Sequence, residues 1–172
     1  MPNWCENCLF VEGERKLLDA FRTECFSEGE NERVFLDFEK IIPPPENYFR
    51  GNIGVQEVKY CKEKGLIDWF SWNIGNWGTK WNVYDCDIKH DDRSITVWFE
   101  TAWSAPIPIM EALTKKYADL SFRLEYSEGG MGFRGVFEGK QGEVIRNDCW
   151  DMTRADMVEL GYLDEDEDKE TA

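Results

Sequence analysis

The sequence predicts an α+β chain with one antiparallel sheet and two helices on one of its faces. Three observations carry this. Residues 93–101 and 120–126 alternate apolar with polar side chains, the period of a half-buried strand. Residues 14–26 and 104–117 instead repeat apolar side chains at helical spacing. Strand and helix patterns then succeed one another with no internal repeat and no heptads.

Residues 3–11 read as a first strand ending at Gly13, and residues 14–26 as a helix burying Leu17, Leu18, Phe21 and Cys25. Residues 34–39 alternate and read as a second strand, stopped by Pro43, Pro44 and Pro45. Residues 46–76 read as a helical insertion, with helices over 55–64 and 66–74 ended by Gly65 and Gly75. Strands follow at 81–89 and 93–101, joined by the polar turn His90-Asp91-Asp92. Ser104 is placed to cap a helix that runs to Tyr117, with Pro106 tolerated in its first turn. Strands at 120–126 and 133–138 come next, then a short helix over 153–160 capped by Thr153. Without the insertion this order is the ferredoxin-like split βαβ arrangement with an added strand, and four strands are expected in its sheet. Residues 1–150 are read as one domain and 151–172 as a short helix with an acidic tail. Ile95, Val97, Phe99, Leu120, Phe122 and Leu124 are the expected core.

The net charge is −15 and the pI about 4.5. Phosphate recognition needs clustered Lys and Arg, so direct binding of duplex nucleic acid is not expected. An anionic membrane surface is disfavoured for the same reason, whereas a protein partner with a basic surface is favoured. Neither a signal peptide nor a membrane span is legible. The six cysteines are dispersed in a chain able to bury a core, and they read as reduced thiols of a cytosolic protein.

Several motifs lack the context that their chemistry needs. Cys5-Glu-Asn-Cys8 matches a redox spacing but lies in a strand, where its two thiols point to opposite faces. No second pair completes a zinc site. Gly130-Met-Gly-Phe-Arg-Gly135 matches a dinucleotide fingerprint but is followed by a strand, so the glycines read as a hairpin. His90, Asp91 and Asp92, with Asp85 and Asp87, read as a polar turn, and a lone histidine rules out a two-histidine metal site within one chain. No nucleophile elbow, phosphate-binding lysine loop or zinc-protease helix occurs. No cofactor and no catalytic residue is expected.

Three further stretches carry a resemblance: Asn3-Trp-Cys-Glu-Asn7, Asn76-Trp-Gly-Thr-Lys-Trp81, and Phe99-Glu-Thr-Ala-Trp-Ser104 followed by Pro106. Tyr117, Leu124-Glu-Tyr126 and Gly132-Phe133 continue the same order. Over residues 2–140 the chain resembles the YubB-type ferredoxin-like domain family of phage- and plasmid-encoded proteins. The resemblance implies a fold and a genomic habitat; it implies no reaction. Cys8 and the acidic tail fall outside the resembling pattern.

Six tryptophans fall between Trp69 and Trp103, several around a loop containing Gly75, Asn76 and Gly78. They either pack the insertion onto the sheet or present a recognition patch, since interface anchors are rich in tryptophan. Trp77, Lys80, Trp81, Trp103 and Ser104 are the candidate binding residues, expected in one cluster. The favoured function is a non-enzymatic intracellular interaction protein of a mobile genetic element, an acidic inhibitor or DNA mimic acting on a host protein. Two alternatives stand beside it: a module that binds a small molecule or single-stranded nucleic acid through its tryptophans, and a metal-assisted carboxylate enzyme.

The run Asp164-Glu-Asp-Glu-Asp168 repels itself and offers almost nothing apolar to bury. Deleting all residues after Leu163 is expected to leave the melting temperature unchanged; a fall of many degrees in a thermal melt would show that the tail docks on the body.

Overall fold

The computed structural model describes residues 3–164. The chain runs β1 (Trp4–Glu12), α1 (Arg15–Cys25), β2 (Phe26–Glu28), β3 (Val34–Leu36), α2 (Phe38–Ile41), β4 (Tyr48–Phe49), α3 (Val55–Lys64) and β5 (Ile67–Asp68). It continues α4 (Trp69–Trp77), β6 (Tyr84–His90), β7 (Ser94–Ala102), α5 (Ile107–Lys116), β8 (Ser121–Glu128), β9 (Phe133–Lys140), β10 (Glu143–Asp151) and α6 (Arg154–Glu159). One antiparallel sheet has the order β10-β9-β8-β1-β7-β6. Strands β8-β1-β7-β6, with α1 and α5, form the ferredoxin-like split βαβ unit that the patterning predicts, and β9 and β10 extend it.

Alternation decides which face is covered. Leu9 and Val11 of β1, Ile95, Val97 and Phe99 of β7, and Phe122 and Leu124 of β8 point one way. They pack against Leu18, Phe21 and Cys25 of α1 and Ile109, Met110 and Leu113 of α5 in one core. All six residues expected in the core are buried. The other face carries Glu6, Cys8, Trp98, Glu100, Arg123 and Glu125, and it surrounds an open groove.

Two expectations change. The sheet has six strands, not four, and residues 34–39 are not one of them. Val34–Leu36 pairs with β2 in a separate ribbon. Asp37 then stops the strand: its Oδ1 accepts the Glu39 amide at 3.0 Å and starts α2. Leu36 and Phe38 still reach the core, from ribbon and helix respectively. The stretch outside the sheet therefore runs from β2 to α4. β10 is unanticipated because Asn147, Asp148 and Asp151 are poor strand formers. It forms because Gln141 and Gly142, at φ +54° and +79°, make the two-residue hairpin turn whose twist suits antiparallel strands.

The Cys5–Cys8 pair and the 130–135 glycines lie in a strand and a hairpin, as the patterning places them. Cys5 is buried and Cys8 half-buried, on opposite faces of β1. Burial pushes their thiols up, to about 12 and about 11, which suppresses thiolate chemistry. The 130–135 glycines belong to the β8–β9 hairpin, where the Glu128 carboxylate accepts the Gly130 and Met131 amides, both at 2.7 Å. Gly135 is required there, because a Cβ would lie 2.3 Å from the Tyr126 ring. Among the described residues no cluster of His, Cys, Asp and Glu could hold a metal ion. Thr153 caps α6 with a reciprocal bond to Asp156. Tyr162 docks the end of that segment on Ser127 at 2.9 Å and Glu6 at 3.0 Å. Residues 165–168 of the acidic run lie outside the described residues.

Truncating Phe99 or Leu124 to Ala is expected to cost about 2–5 kcal/mol in denaturant unfolding. The Trp98→Ala change on the opposite face should cost less than about 1 kcal/mol. Equal losses on the two faces would contradict the assignment.

Candidate functional site

The three resembling stretches meet at one corner of the sheet. α4 ends at Gly78, whose φ of +78° and 2.6 Å virtual Cβ contact with Pro108 exclude any side chain. The chain then clasps the end of β7. Thr79 Oγ1 donates to the Ala102 carbonyl at 2.8 Å, and Ser104 Oγ donates to the Gly78 carbonyl at 2.6 Å. Thr101 Oγ1 donates to the Ser104 carbonyl and accepts from Asn7 Nδ2, at 2.8 and 2.9 Å. The Trp103 amide donates to the Asn3 carbonyl at 3.0 Å. Ser104 thus joins the clasp instead of capping a helix; α5 begins at Ile107 after Pro106 with no side-chain cap.

The expected cluster divides here. Trp77 is 2% exposed, packs edge-on against Phe38 and Trp72, and donates Nε1 to the Ile42 carbonyl at 2.9 Å. It is a core residue. Lys80, Trp81 and Trp103 do come together: Lys80 Nζ lies 4.4 Å from the Trp81 ring centre and 4.8 Å from that of Trp103. Both indoles are more than a third exposed. Trp103 sits at φ +74°, a strained position for a bulky residue, held by the clasp on either side. The aromatic strip continues beyond the expected residues. Trp4 lies 6.1 Å from Trp81 and stacks on exposed Tyr84 at 4.5 Å.

Next to this strip lies a feature that the sequence did not single out. The open sheet face holds a groove of about 790 Å³. Five carboxylates line it (Glu6, Asp85, Asp87, Glu100 and Glu125) against three guanidinium groups (Arg33, Arg123 and Arg134). All three arginines are engaged. Arg33 pairs with Asp85 at 3.2 Å and Arg123 with Glu125 at 2.7 Å, while Arg134 turns to Asp156 at 2.9 Å and Glu159 at 3.6 Å. Glu6 and Glu100 are direct cross-strand neighbours, an arrangement of like charges that costs stability. Burial, then Asp85 and Glu6, raise the Glu100 carboxyl above the usual carboxylate range. Trp98, beside Cys8 in the register and 43% exposed, supplies an apolar floor. The alternation of Thr96, Trp98 and Glu100 was visible in the sequence. The register that puts Glu6 opposite Glu100 was not.

These features define an α+β protein with one sheet face committed to its core and the other open, acidic and edged with aromatic rings. The family model described as the ferredoxin-like domain in Api92-like protein matches residues 80–172, more than half of the chain, and the protein belongs to that family. No curated protein matches it. The structure is similar to the crystal structure of a protein api92 from Yersinia pseudotuberculosis, with a TM-score of 0.60 at 10% sequence identity. The similarity covers 89% of this chain and 99% of that one, and at such identity it concerns the fold alone.

Changing Trp77 to Ala is expected to cost about 3–5 kcal/mol, as for a large buried aromatic side chain. Trp81→Ala and Trp103→Ala should each cost about 1 kcal/mol or less, in line with surface changes that lose a cation–aromatic contact. Melts followed by circular dichroism separate the two groups, and a large loss at Trp81 or Trp103 would return those indoles to the core.

Proposed function

We propose that the protein is a non-enzymatic interaction module whose open sheet face receives a basic segment of a protein partner. One observation carries this reading. Among the described residues the groove gathers five carboxylates around Trp98 while its three arginines are already paired, which leaves Glu6, Glu100 and Asp87 without a neutralising cation there. An arginine or lysine side chain would relieve the Glu6–Glu100 repulsion and find an aromatic surface beside it. The overall charge of −15 would steer such a partner toward the protein. The likeness of the corner stretches to proteins of phages and plasmids suits a setting on a mobile element. There the partner would be a host protein that normally meets nucleic acid, and the acidic face would take the place of phosphates.

A second reading has its own observation. The strip Tyr84, Trp4, Trp81 and Trp103 exposes ring faces on which a planar small molecule or an unpaired nucleobase could stack. Lys80 is its only nearby cation among the named residues, and the neighbouring carboxylates repel phosphate, so the basic partner is preferred.

The test is calorimetric titration with a short arginine-rich peptide. Glu6→Gln and Glu100→Gln are each expected to weaken binding about tenfold, equivalent to about 1.4 kcal/mol. Binding should weaken as pH falls through the raised Glu100 pKa, because protonation removes the charge that attracts the peptide. The sign for stability is opposite. A carboxyl raised in the folded state binds its proton more tightly there than when unfolded, so the free protein gains stability as pH falls through that pKa. Glu100→Gln should therefore leave the melting temperature at neutral pH unchanged or higher. Unaltered peptide affinity in both variants would overturn the proposal.

A further inference from the structure

We infer that the α6 segment draws Arg134 out of the acidic groove, and that Asp156 thereby acts as a positioning residue that keeps the groove open to a partner's cation. The inference rests on the groove reading for its purpose; its geometry stands without it. Three arginines line the groove. Arg33 and Arg123 pair with carboxylates that line it too, Asp85 and Glu125. Arg134 pairs outside it. Its Nη1 lies 2.9 Å from Asp156 Oδ1 and 3.6 Å from Glu159 Oε2, both on α6 and neither lining the groove. Its guanidinium lies 5.8 Å from the ring centre of Trp150, on the strand away from Glu6.

The sheet alone would let Arg134 turn inward. It stands in the same cross-strand row as Glu6, with Ser127 between them. Neighbouring strands lie about 4.8 Å apart, so the two backbones are about 10 Å apart. An arginine and a glutamate side chain extended toward each other cover that span, and Ser127 is too small to bar it. Tyr162 bars it instead: its hydroxyl bonds Ser127 Oγ at 2.9 Å and donates to Glu6 Oε2 at 3.0 Å. Gly161, at φ +77°, turns the chain after α6, and the Tyr162 amide donates to the Met157 carbonyl at 2.8 Å. Gly129 admits the ring, since a Cβ there would lie 2.5 Å from it. The Arg134–Asp156 side chains are 28% and 22% exposed against 72% and 60% for Arg33–Asp85, so salt screens the α6 pair less. The Thr153 side chain and amide, then Arg134, hold the Asp156 carboxyl below the usual range, so it stays charged at a pH where the raised Glu100 takes up a proton. With Arg134 held on α6, the Glu6–Glu100 pair keeps its charge for a cation that arrives from outside.

The test is a mutant cycle on the full chain, read by carbon-13 NMR titration of the Glu100 carboxyl. Glu100 is faced by Glu6 of β1, by Tyr84, Asp85 and Asp87 of β6, and by Arg33 through Asp85, and the cycle changes none of these. Arg134→Gln in the wild type should barely move the Glu100 pKa, because that charge is already engaged on α6. In an Asp156→Asn, Glu159→Gln background Arg134 can turn to Glu6, and the same Arg134→Gln change should raise the Glu100 pKa by about half a pH unit. Charge acting from a fixed place would give equal shifts in both backgrounds, and equal shifts overturn the inference. Thr153→Ala breaks the same helix cap but leaves the Asp156 charge, so it should keep the small wild-type response; a large one overturns the role of Asp156. Titration with a hexa-arginine peptide is the second arm. The Asp156→Asn, Glu159→Gln variant should bind about tenfold more weakly than the wild type, and adding Arg134→Gln should restore most of that loss. A loss that Arg134→Gln leaves in place overturns the inference. A wild type that does not bind the peptide overturns the groove reading, and the Glu100 titration then decides the inference by itself.

Discussion

The corner where Gly78 and Thr79 grip Ala102 and Ser104 is the contact on which the arrangement of this molecule depends. It joins two segments about 25 residues apart in the chain through two hydroxyl-to-carbonyl hydrogen bonds of 2.6 and 2.8 Å. Thr79 is fully buried, so its hydroxyl, left without the Ala102 carbonyl, would cost its whole desolvation penalty. The clasp fixes where α4 ends, where β7 stops and where α5 begins. It also holds Trp103 at positive φ, which aims the indole at Lys80 instead of into the core. The corner and the aromatic strip are therefore one construction: buried polar bonds below, exposed rings above.

That construction divides the labour of the sheet. α1 and α5 use one face to build the core, and the clasp docks the segment between α1 and β6 at the end of the strands, where Trp77 closes over Phe38. Among the described residues the α6 segment reaches one end of the other face, where Asp156 holds Arg134 and Tyr162 holds Glu6, and leaves the rest open. Polar and charged side chains collect there, which is the ordinary outcome for a solvated antiparallel face. What is not ordinary is the balance of their charges. Glu6 faces Glu100 across neighbouring strands, and the nearby arginines spend their hydrogen bonds on other carboxylates. Retained like-charge repulsion weakens a fold, and it is what a surface suited to a cationic partner would carry.

Much of this was legible in the sequence. Alternation identified β7, β8 and their core residues, and helical spacing identified α1 and α5, because those signals arise from burial on one face. The three corner stretches could be quoted, but their mutual contact could not, since it depends on long-range pairing. Residues 34–39 misled for a specific reason: Val34, Leu36 and Phe38 are apolar at alternate positions, yet Asp37 caps a helix between the last two. For Trp77 the sequence left core and recognition patch both open, because its place beside Gly78 in a tryptophan-rich stretch suits either; burial against Phe38 and Trp72 decides for the core. β10 was hidden because an exposed edge strand needs no apolar pattern. The groove was hidden because its chemistry lies in register, and Glu6 and Glu100 are 94 positions apart.

The central claim is that the uncovered sheet face is the functional surface. The most direct measurement is backbone amide NMR of the full chain during titration with a lysine- and arginine-rich peptide. Saturable shifts should concentrate at Glu6, Cys8, Trp98, Glu100 and Glu125 and extend toward Trp4 and Tyr84, and they should diminish with added salt. Shifts confined to α1, α3 or α5, or spread evenly over the surface without saturation, would contradict the account.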